Sequence, residues 1–345
     1  MSAVADVSRS PGQRAWARFK RNRMGYLSLW LFSVLLVLAT FGELVSNDKP
    51  FVAKVNGTTY FPILNNPSDQ ALDGDFATPA DWKDPFITGL LAQPGNWKVG
   101  AINPHSAMSI DYFSKNPNPA APNADNWLGT DKFGRDMLAR LLYGFRVSIW
   151  FAIALTVAGT LIGVVMGAIQ GYFGGRMDLT VQRLIEIWGA VPELYLLIIV
   201  ASIFEPSLLL LLILLSLFGW IGLSDYVRAE FLRNRNLEFV KAARALGLSN
   251  LQIIRRHVLP NSLTPVITFL PFRMSGAIFA LTSLDFLGLG VPSSVPSLGE
   301  LLNQGKDWLD AWWIIVPTFL VLTVSMTLLT FIGDALRDAF DTRKS

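Results

Sequence analysis

Six stretches of this chain are long and apolar enough to demand lipid, and that limits the fold more than any other feature. The runs 27–45, 147–168, 194–204 with its neighbours, 208–223, 266–284 and 314–332 approach the ~20 apolar residues that cross a bilayer. Inside hydrocarbon every backbone N–H and C=O must be satisfied within the protein, so such runs become helices. The expected fold class is an all-α polytopic membrane protein with six transmembrane helices. The third is the least regular, because Pro192 and Glu193 interrupt it. Composition agrees: 16% of residues are charged, against about a quarter in soluble domains. The first run exceeds the ~7–15 residues of a signal-peptide core. Phe41, Glu43 and Asn47 stand where a small-residue cleavage site would be sought, so this run is expected to remain as an anchor.

Charge placement sets the orientation. Arg9, Arg14, Arg18, Lys20, Arg21 and Arg23 crowd the segment 1–24, which the positive-inside rule assigns to the cytoplasm. Trp16 and Phe19 among these bases fit a short helix on the inner leaflet, and a solvated basic tail fits equally. After a first span at 25–45, six spans put 46–143 outside, 171–186 inside, 205–207 outside, 225–264 inside, 292–310 outside and the tail 339–345 inside. Arg228, Arg233, Arg235, Lys241, Arg244, Arg255, Arg256, Arg337, Arg343 and Lys344 all then fall on the inner side. The expected location is a bacterial inner membrane, with both termini cytoplasmic and lipid around the spans.

The outer segment of roughly 95 residues is too long for an ordinary connection. It is rich in Pro, Asn and Asp, and residues 51–60 alternate around Asn56-Gly57, a hairpin turn signal. It reads as a small insertion that caps the pore or meets a soluble partner, or equally as a loosely packed insertion without a separate role.

The chain has no cysteine and two distant histidines, His105 and His257, so neither thiolate nor paired-histidine metal sites are expected. No Gly-x-x-x-x-Gly-Lys-Ser/Thr phosphate loop occurs; the turn from Gly171 to Arg176 lacks the lysine and the preceding strand. No nucleophile–base pair stands out. The expectation is a chain without catalytic residues or cofactor, whose energy comes from elsewhere, and no nucleic-acid partner is implied.

The most informative inner segment is 225–264. Phe239-Val240-Lys241-Ala242-Ala243-Arg244-Ala245-Leu246-Gly247 reads as a helix ended by a glycine in the left-handed C-cap conformation. Ser249 or Asn250 can cap a second helix running toward Leu259-Pro260. Ala242, Ala243 and Gly247 then form a shallow, basic, small-residue corner for another protein to grip. An amphipathic connector resting on the membrane is the competing reading.

These residues resemble the cytoplasmic signature of binding-protein-dependent ABC importer permeases: Glu-Ala-Ala, three residues, Gly, nine residues, Ile, one residue, Leu-Pro. Lys241-Ala242-Ala243, Gly247 and Leu259-Pro260 fall at the required positions, with Lys241 in place of the Glu and His257 in place of the Ile. Both departures look like the peptide and nickel branch (the oligopeptide and dipeptide permeases). A second match runs Trp127-Leu128-Gly129-Thr130-Asp131-Lys132-Phe133-Gly134-Arg135-Asp136, a turn-rich approach to the membrane with charged groups at the interface. A third is Phe286-Leu287-Gly288-Leu289-Gly290-Val291-Pro292, and a fourth Gly333-Asp334-x-x-Arg337-Asp338-x-x-Asp341. Asp285 and Leu298 stand where Ser and Trp are usual, and Phe331 where Asn is usual. With Asn47-Asp48-Lys49-Pro50 and the enlarged outer segment, these features look like the YejE subgroup, permeases of importers for peptides and peptide-like antibiotics such as microcin C.

The resemblance implies the type-1 ABC transmembrane fold, with a permease core at 144–338. It implies that Lys241, Ala242, Ala243, Gly247, His257, Leu259 and Pro260 couple to an ATPase. It implies as partners a second homologous permease, two ATP-binding cassette domains on one or two subunits that bind ATP and Mg, and a periplasmic peptide-binding protein. The alternatives are an ABC permease for dipeptides or nickel, an ion-coupled secondary transporter, which is expected to carry several acids deep in its spans, and a membrane-anchored structural or adhesion protein, which leaves the inner corner unexplained.

One charge lies well inside a span. Arg273 either lines the translocation cavity, meeting an acidic group or a peptide C-terminus, or pairs structurally with the partner permease or sits nearer the interface; the structural readings are favoured. Glu193 and Asp285 are expected near membrane borders, and Pro192, Pro265 and Pro271 as possible kinks.

Overall fold

The apolar runs do form helices, and their limits depart from the runs where charges find partners. The computed structural model describes residues 11–110 and 117–341; Arg9, Arg343 and Lys344 lie outside the described residues. Helix α1 is Pro11–Arg21 and α2 Arg23–Thr40, followed by a single turn, α3, at Gly42–Val45. Strands β1 (Val52–Val55), β2 (Thr58–Tyr60) and β3 (Trp97–Val99) surround a short helix α4 (Pro85–Leu91). The rest is helical: α5 Met137–Phe173, α6 Gly175–Gly189, α7 Glu193–Ile203, α8 Leu208–Phe218, α9 Ile221–Asn234, α10 Glu238–Ala245, α11 Asn250–Ile253, α12 Leu259–Phe286, α13 Leu298–Asp307 and α14 Trp312–Phe340. Five segments are long and apolar enough to cross a membrane, or up to six if α6 and α7, bent by 61° at their break, form one span. That bend falls where Pro192 interrupts the sequence.

Contacts define two units, with dividing points within α2, α5 and α14 and between α12 and α13. One unit holds Ser148–Pro292 with the described residues up to Ser33 and from Leu322; the other holds Val34–Val147 with Ser293–Val321.

In the first unit, α5 carries Gly159, Gly163, Gly167 and Gly171 at every fourth position, hence on one face. A Cβ added at Gly163 would stand 2.9 Å from the carbonyl oxygen of Trp220, at Gly167 2.5 Å from that of Ser224, and at Gly171 2.6 Å from that of Arg228. Small residues at this spacing let two helices in lipid approach backbone to backbone, and the row seats α5 against α9. Gln170 donates to Ser224 Oγ at 3.0 Å, and the Arg228 guanidinium grips Asp178 of α6 through both carboxylate oxygens, at 2.5 and 2.7 Å. The inner connection read at 171–176 is therefore shorter than expected. Gly171 and Phe173 remain helical, and only Gly174 stands between α5 and α6, its positive φ shared by Gly175 at the start of α6.

The N-terminal helix also departs from expectation. Phe19 is buried against Ala335 and Ala339 of α14 rather than facing lipid, while Trp16 stays exposed and stacks on it. Arg18 donates to the Asp341 carbonyl at 3.0 Å, fixing α1 to the end of α14.

In the second unit, Asn56 and Gly57 both have positive φ (50° and 83°), as a two-residue hairpin turn requires. The register is Ala53↔Tyr60 and Val55↔Thr58, with β3 added on the other side of β1. Ala53 and Val55 point into a small core with Leu72, Trp82 and Ile87, so the segment has a packed centre of its own.

The charges of the Asp131-to-Arg140 stretch are turned into the protein. Asp131, Arg135, Asp136 and Arg140 are all buried. Asp131 accepts the Arg135 Nε–H at 2.7 Å and the backbone N–H groups of Phe133 and Arg135 at 2.9 Å. Arg135 reaches Glu300 at 3.0 Å, and Arg140 pairs with the other oxygen of the same carboxylate. Asp136 accepts from Asn103 at 2.8 Å and Asn126 at 3.0 Å. Arg146 likewise pairs with Glu43 at 2.6 Å. With both arginines neutralised, α5 extends back to Met137, well before its apolar run.

Candidate functional site

The segment 225–264 is built by two helix-end motifs. At the end of α10 the chain turns through Gly247, whose φ is +79°, a region costly for residues with a Cβ. The Leu248 N–H bonds the Ala243 carbonyl at 3.2 Å and the Gly247 N–H that of Arg244 at 3.0 Å. This is the Schellman arrangement, which satisfies carbonyls at a helix end. Two residues on, Ser249 caps α11 in a capping box with Gln252, each satisfying an orphan backbone N–H. Glycine stop and serine start are where the sequence put them.

Beneath the corner lies a core of Val227, Phe231, Val240, Ala243, Ile253 and Val258. Tyr172 at the end of α5 donates to Asn250 at 2.8 Å, and Asn234 of α9 to Ser262 Oγ at 2.9 Å, anchoring both ends. The corner is thus held from below and open above. Gly247 has no atom within 4 Å of where a Cβ would stand. Leu246 is 80% exposed and Leu251 63%, with Lys241, Arg244, Arg255 and Arg256 exposed around them. Exposed leucines ringed by bases suit a docking surface, and they equally suit an amphipathic connector resting on the membrane.

The predicted residues do not all share this surface. Ala242 and Gly247 are exposed, but Ala243 faces the core, because residues one apart on a helix point in different directions. Lys241, at the position of the family's Glu, pairs with Glu238 at 2.8 Å. His257, Leu259 and Pro260 lie on the next element, and there the expected helix end at Pro260 does not occur. Residues 254–258 form a π turn, with the Leu259 N–H bonding the Ile254 carbonyl, and the helical path continues from Asn250 to Phe286. The wider turn admits a proline, whose ring otherwise clashes with the carbonyl four residues back. Asn261 and Ser262 side chains bond the carbonyls of His257 and Val258 at 2.7 and 2.9 Å. Pro265 and Pro271 are likewise carried inside α12.

Arg273 is remote from the corner. It lies thirteen positions beyond Pro260, roughly 20 Å at 1.5 Å per residue, and near the middle of α12. Its guanidinium donates to the Gly219 carbonyl at 2.9 Å. Glu193 and Arg273 line one cavity. Asp285 is one residue from the end of α12, where it accepts the Val291 N–H at 2.9 Å. The glycine row of α5 escaped the sequence reading, although its four-residue spacing was the available signal.

The chain belongs to the family of binding-protein-dependent transport system inner membrane components, whose model matches residues 159–345. Residues 10–72 match the N-terminal transmembrane domain of oligopeptide transport permease C. The chain is 47% identical to the inner membrane ABC transporter permease protein YejE of Escherichia coli over the full length of both. It is 45% identical to the peptidoglycan transport system permease protein YejE of Agrobacterium fabrum, over 96% of this chain and 93% of that one. A dipeptide transport permease DppC of Lactococcus lactis is 31% identical over 99% and 93%. Among solved structures, an inward-facing MetNI methionine ABC transporter shares the fold at 18% identity and a TM-score of 0.50, covering 59% of this chain and 97% of that one. Membership makes the chain an ABC importer permease, a transport rather than a catalytic component, and removes the ion-coupled and adhesion alternatives.

Proposed function

We propose that this chain is one of two permeases in an ATP-driven importer of peptides or peptide-like molecules, spanning the inner membrane six times with both termini inside. The full-length identity to two YejE permeases and the match to an oligopeptide permease domain support the peptide substrate. Counting the bent pair of α6 and α7 as one span supports six crossings. On this reading 46–143 is a periplasmic insertion, whose packed core favours a defined role over a loose one.

The observation that carries the coupling role is the open corner at Leu246-Gly247, rigid beneath and apolar above. In this reading the corner docks into the ATPase subunits, which bind ATP and Mg, while a periplasmic binding protein delivers substrate. Ala242 and Gly247 meet the partner, Ala243 holds the corner to its core, and His257, Leu259 and Pro260 shape the π turn behind it. Peptidoglycan-derived peptides are a second substrate class, favoured by the name of the Agrobacterium relative; microcin-type antibiotics rest on the YejE resemblance alone.

The test is ATP-driven peptide uptake by the assembled transporter in proteoliposomes. Gly247→Trp is expected to leave ATP hydrolysis running while uptake falls at least tenfold. Gly247→Asn, which tolerates positive φ, is expected to retain coupling. Equal coupling in Gly247→Trp and wild type would refute the docking assignment, and uptake by this chain alone would refute the dependence on partners.

A further inference from the structure

Two broken helical paths meet at one residue in the first unit. The path from α6 to α7 breaks at residues 190–192, leaving Glu193 as the first residue of α7. The path from α8 to α9 breaks at Gly219, the C-cap of α8. Arg273, at the middle of the unbroken α12, reaches between them. Its guanidinium crosses Gly159, where a Cβ would stand 2.5 Å away, and donates to the Gly219 carbonyl. A cation therefore sits at a helix C-terminus and a carboxylate at a helix N-terminus, each at the end whose partial charge favours it.

Around these charges is a cavity of about 200 Å³ lined by Thr156, Glu193, Gly219, Arg273 and Gly276 among others. Two of its polar groups are unsatisfied. Arg273 Nε and Thr156 Oγ1 are buried atoms without a hydrogen-bond partner, and Thr156 is only 4% exposed. An unpaired buried donor costs about 1–3 kcal/mol, and charges at membrane depth face protein or a water-filled path. The cavity holds one cation, one acceptor and a hydroxyl. It is smaller than the ~300–1,000 Å³ of sites that enclose a whole ligand, so it suits one end of a larger molecule. A carboxylate with an amide N–H on the same residue has the complementary set.

We infer that this cavity receives the C-terminal end of the transported peptide. Arg273 binds the carboxylate, Glu193 accepts the last peptide N–H, and Thr156 completes the pocket. The inference rests on the peptide reading above and adds the contact that reading lacks.

The experiment compares uptake of a tetrapeptide bearing a free C-terminal carboxylate with its C-terminal amide, using the complete transporter in proteoliposomes. Because the binding protein is the same throughout, the change in the carboxylate-to-amide rate ratio isolates the permease. In Arg273→Gln the ratio is expected to fall about tenfold, as for loss of a hydrogen bond to a charged group. Should that variant not assemble, Arg273→Lys keeps the charge without the planar fork and is expected to lower the ratio about threefold. In Glu193→Ala the penalty for N-methylating the last peptide bond is expected to disappear. A wild-type ratio of one, a ratio unmoved by either arginine variant, or equal losses for both peptides overturns the inference; the last outcome would make Arg273 a structural partner of the second permease. Wild-type complex that hydrolyses ATP yet carries neither peptide would overturn the peptide reading itself.

Discussion

Gly167→Ala is the smallest change that tests the backbone contact between α5 and α9. The new Cβ would stand 2.5 Å from the Ser224 carbonyl oxygen, 2.7 Å from Val227 Cβ and 2.9 Å from the Arg228 nitrogen. Two of these three atoms are backbone, so no rotamer change relieves the contact, and α9 must withdraw by most of an ångström along its length. Overpacking of this kind costs about 1–3 kcal/mol, against which alanine regains ~1 kcal/mol of helix propensity. Gly222→Ala supplies the control, since Gly222 lies in α9 with nothing within 4 Å of its added Cβ. The assay is the thermal midpoint of the purified complex in detergent. Gly167→Ala is expected to melt lower than wild type and Gly222→Ala at or above it. Val227→Ala should not rescue Gly167→Ala, because alanine keeps the offending Cβ. If the two glycine variants melt alike, or Val227→Ala restores Gly167→Ala, the close approach described here is wrong.

Two further outcomes follow from the other contacts. Glu300→Gln leaves Arg135 and Arg140 without their shared carboxylate. A broken buried pair costs about 3–5 kcal/mol, so the protein is expected to lose most of its folded yield, whereas Arg183→Ala, removing an exposed pair with Glu186, should leave yield unchanged. Ser249→Ala removes one half of the capping box and is expected to cost about 1 kcal/mol, read as faster amide exchange in residues 250–253, while Ser249→Asp should preserve protection.

What the sequence made legible was local. Apolar runs, the Asn56-Gly57 turn, the glycine stop at 247 and the serine start at 249 each depend on residues within a few positions, and each appears as read. What it hid depends on partners far along the chain. The burial of Arg140 was hidden because its carboxylate lies at Glu300, and that of Phe19 because Ala335 and Ala339 are more than three hundred residues away. Glu193 gave no sign of its cavity, which Arg273 lines from far along the chain. The corner was legible as a motif, but Ala243's inward direction came only with the core beneath it.

The shared carboxylate of Glu300 also puts a clock into biogenesis. Its two arginine partners precede it by 165 and 160 residues. At ~5–20 residues per second, ribosomes deliver that acid roughly 10–30 s after Arg135 and Arg140 have left the tunnel. During that interval only Asp131 of the two carboxylates is present, so the unit that holds Val34–Val147 cannot complete this cluster until its penultimate helix arrives. A chain truncated before residue 300 would therefore leave Arg135 and Arg140 without their shared partner, a mark by which quality-control proteases could distinguish it from a complete permease.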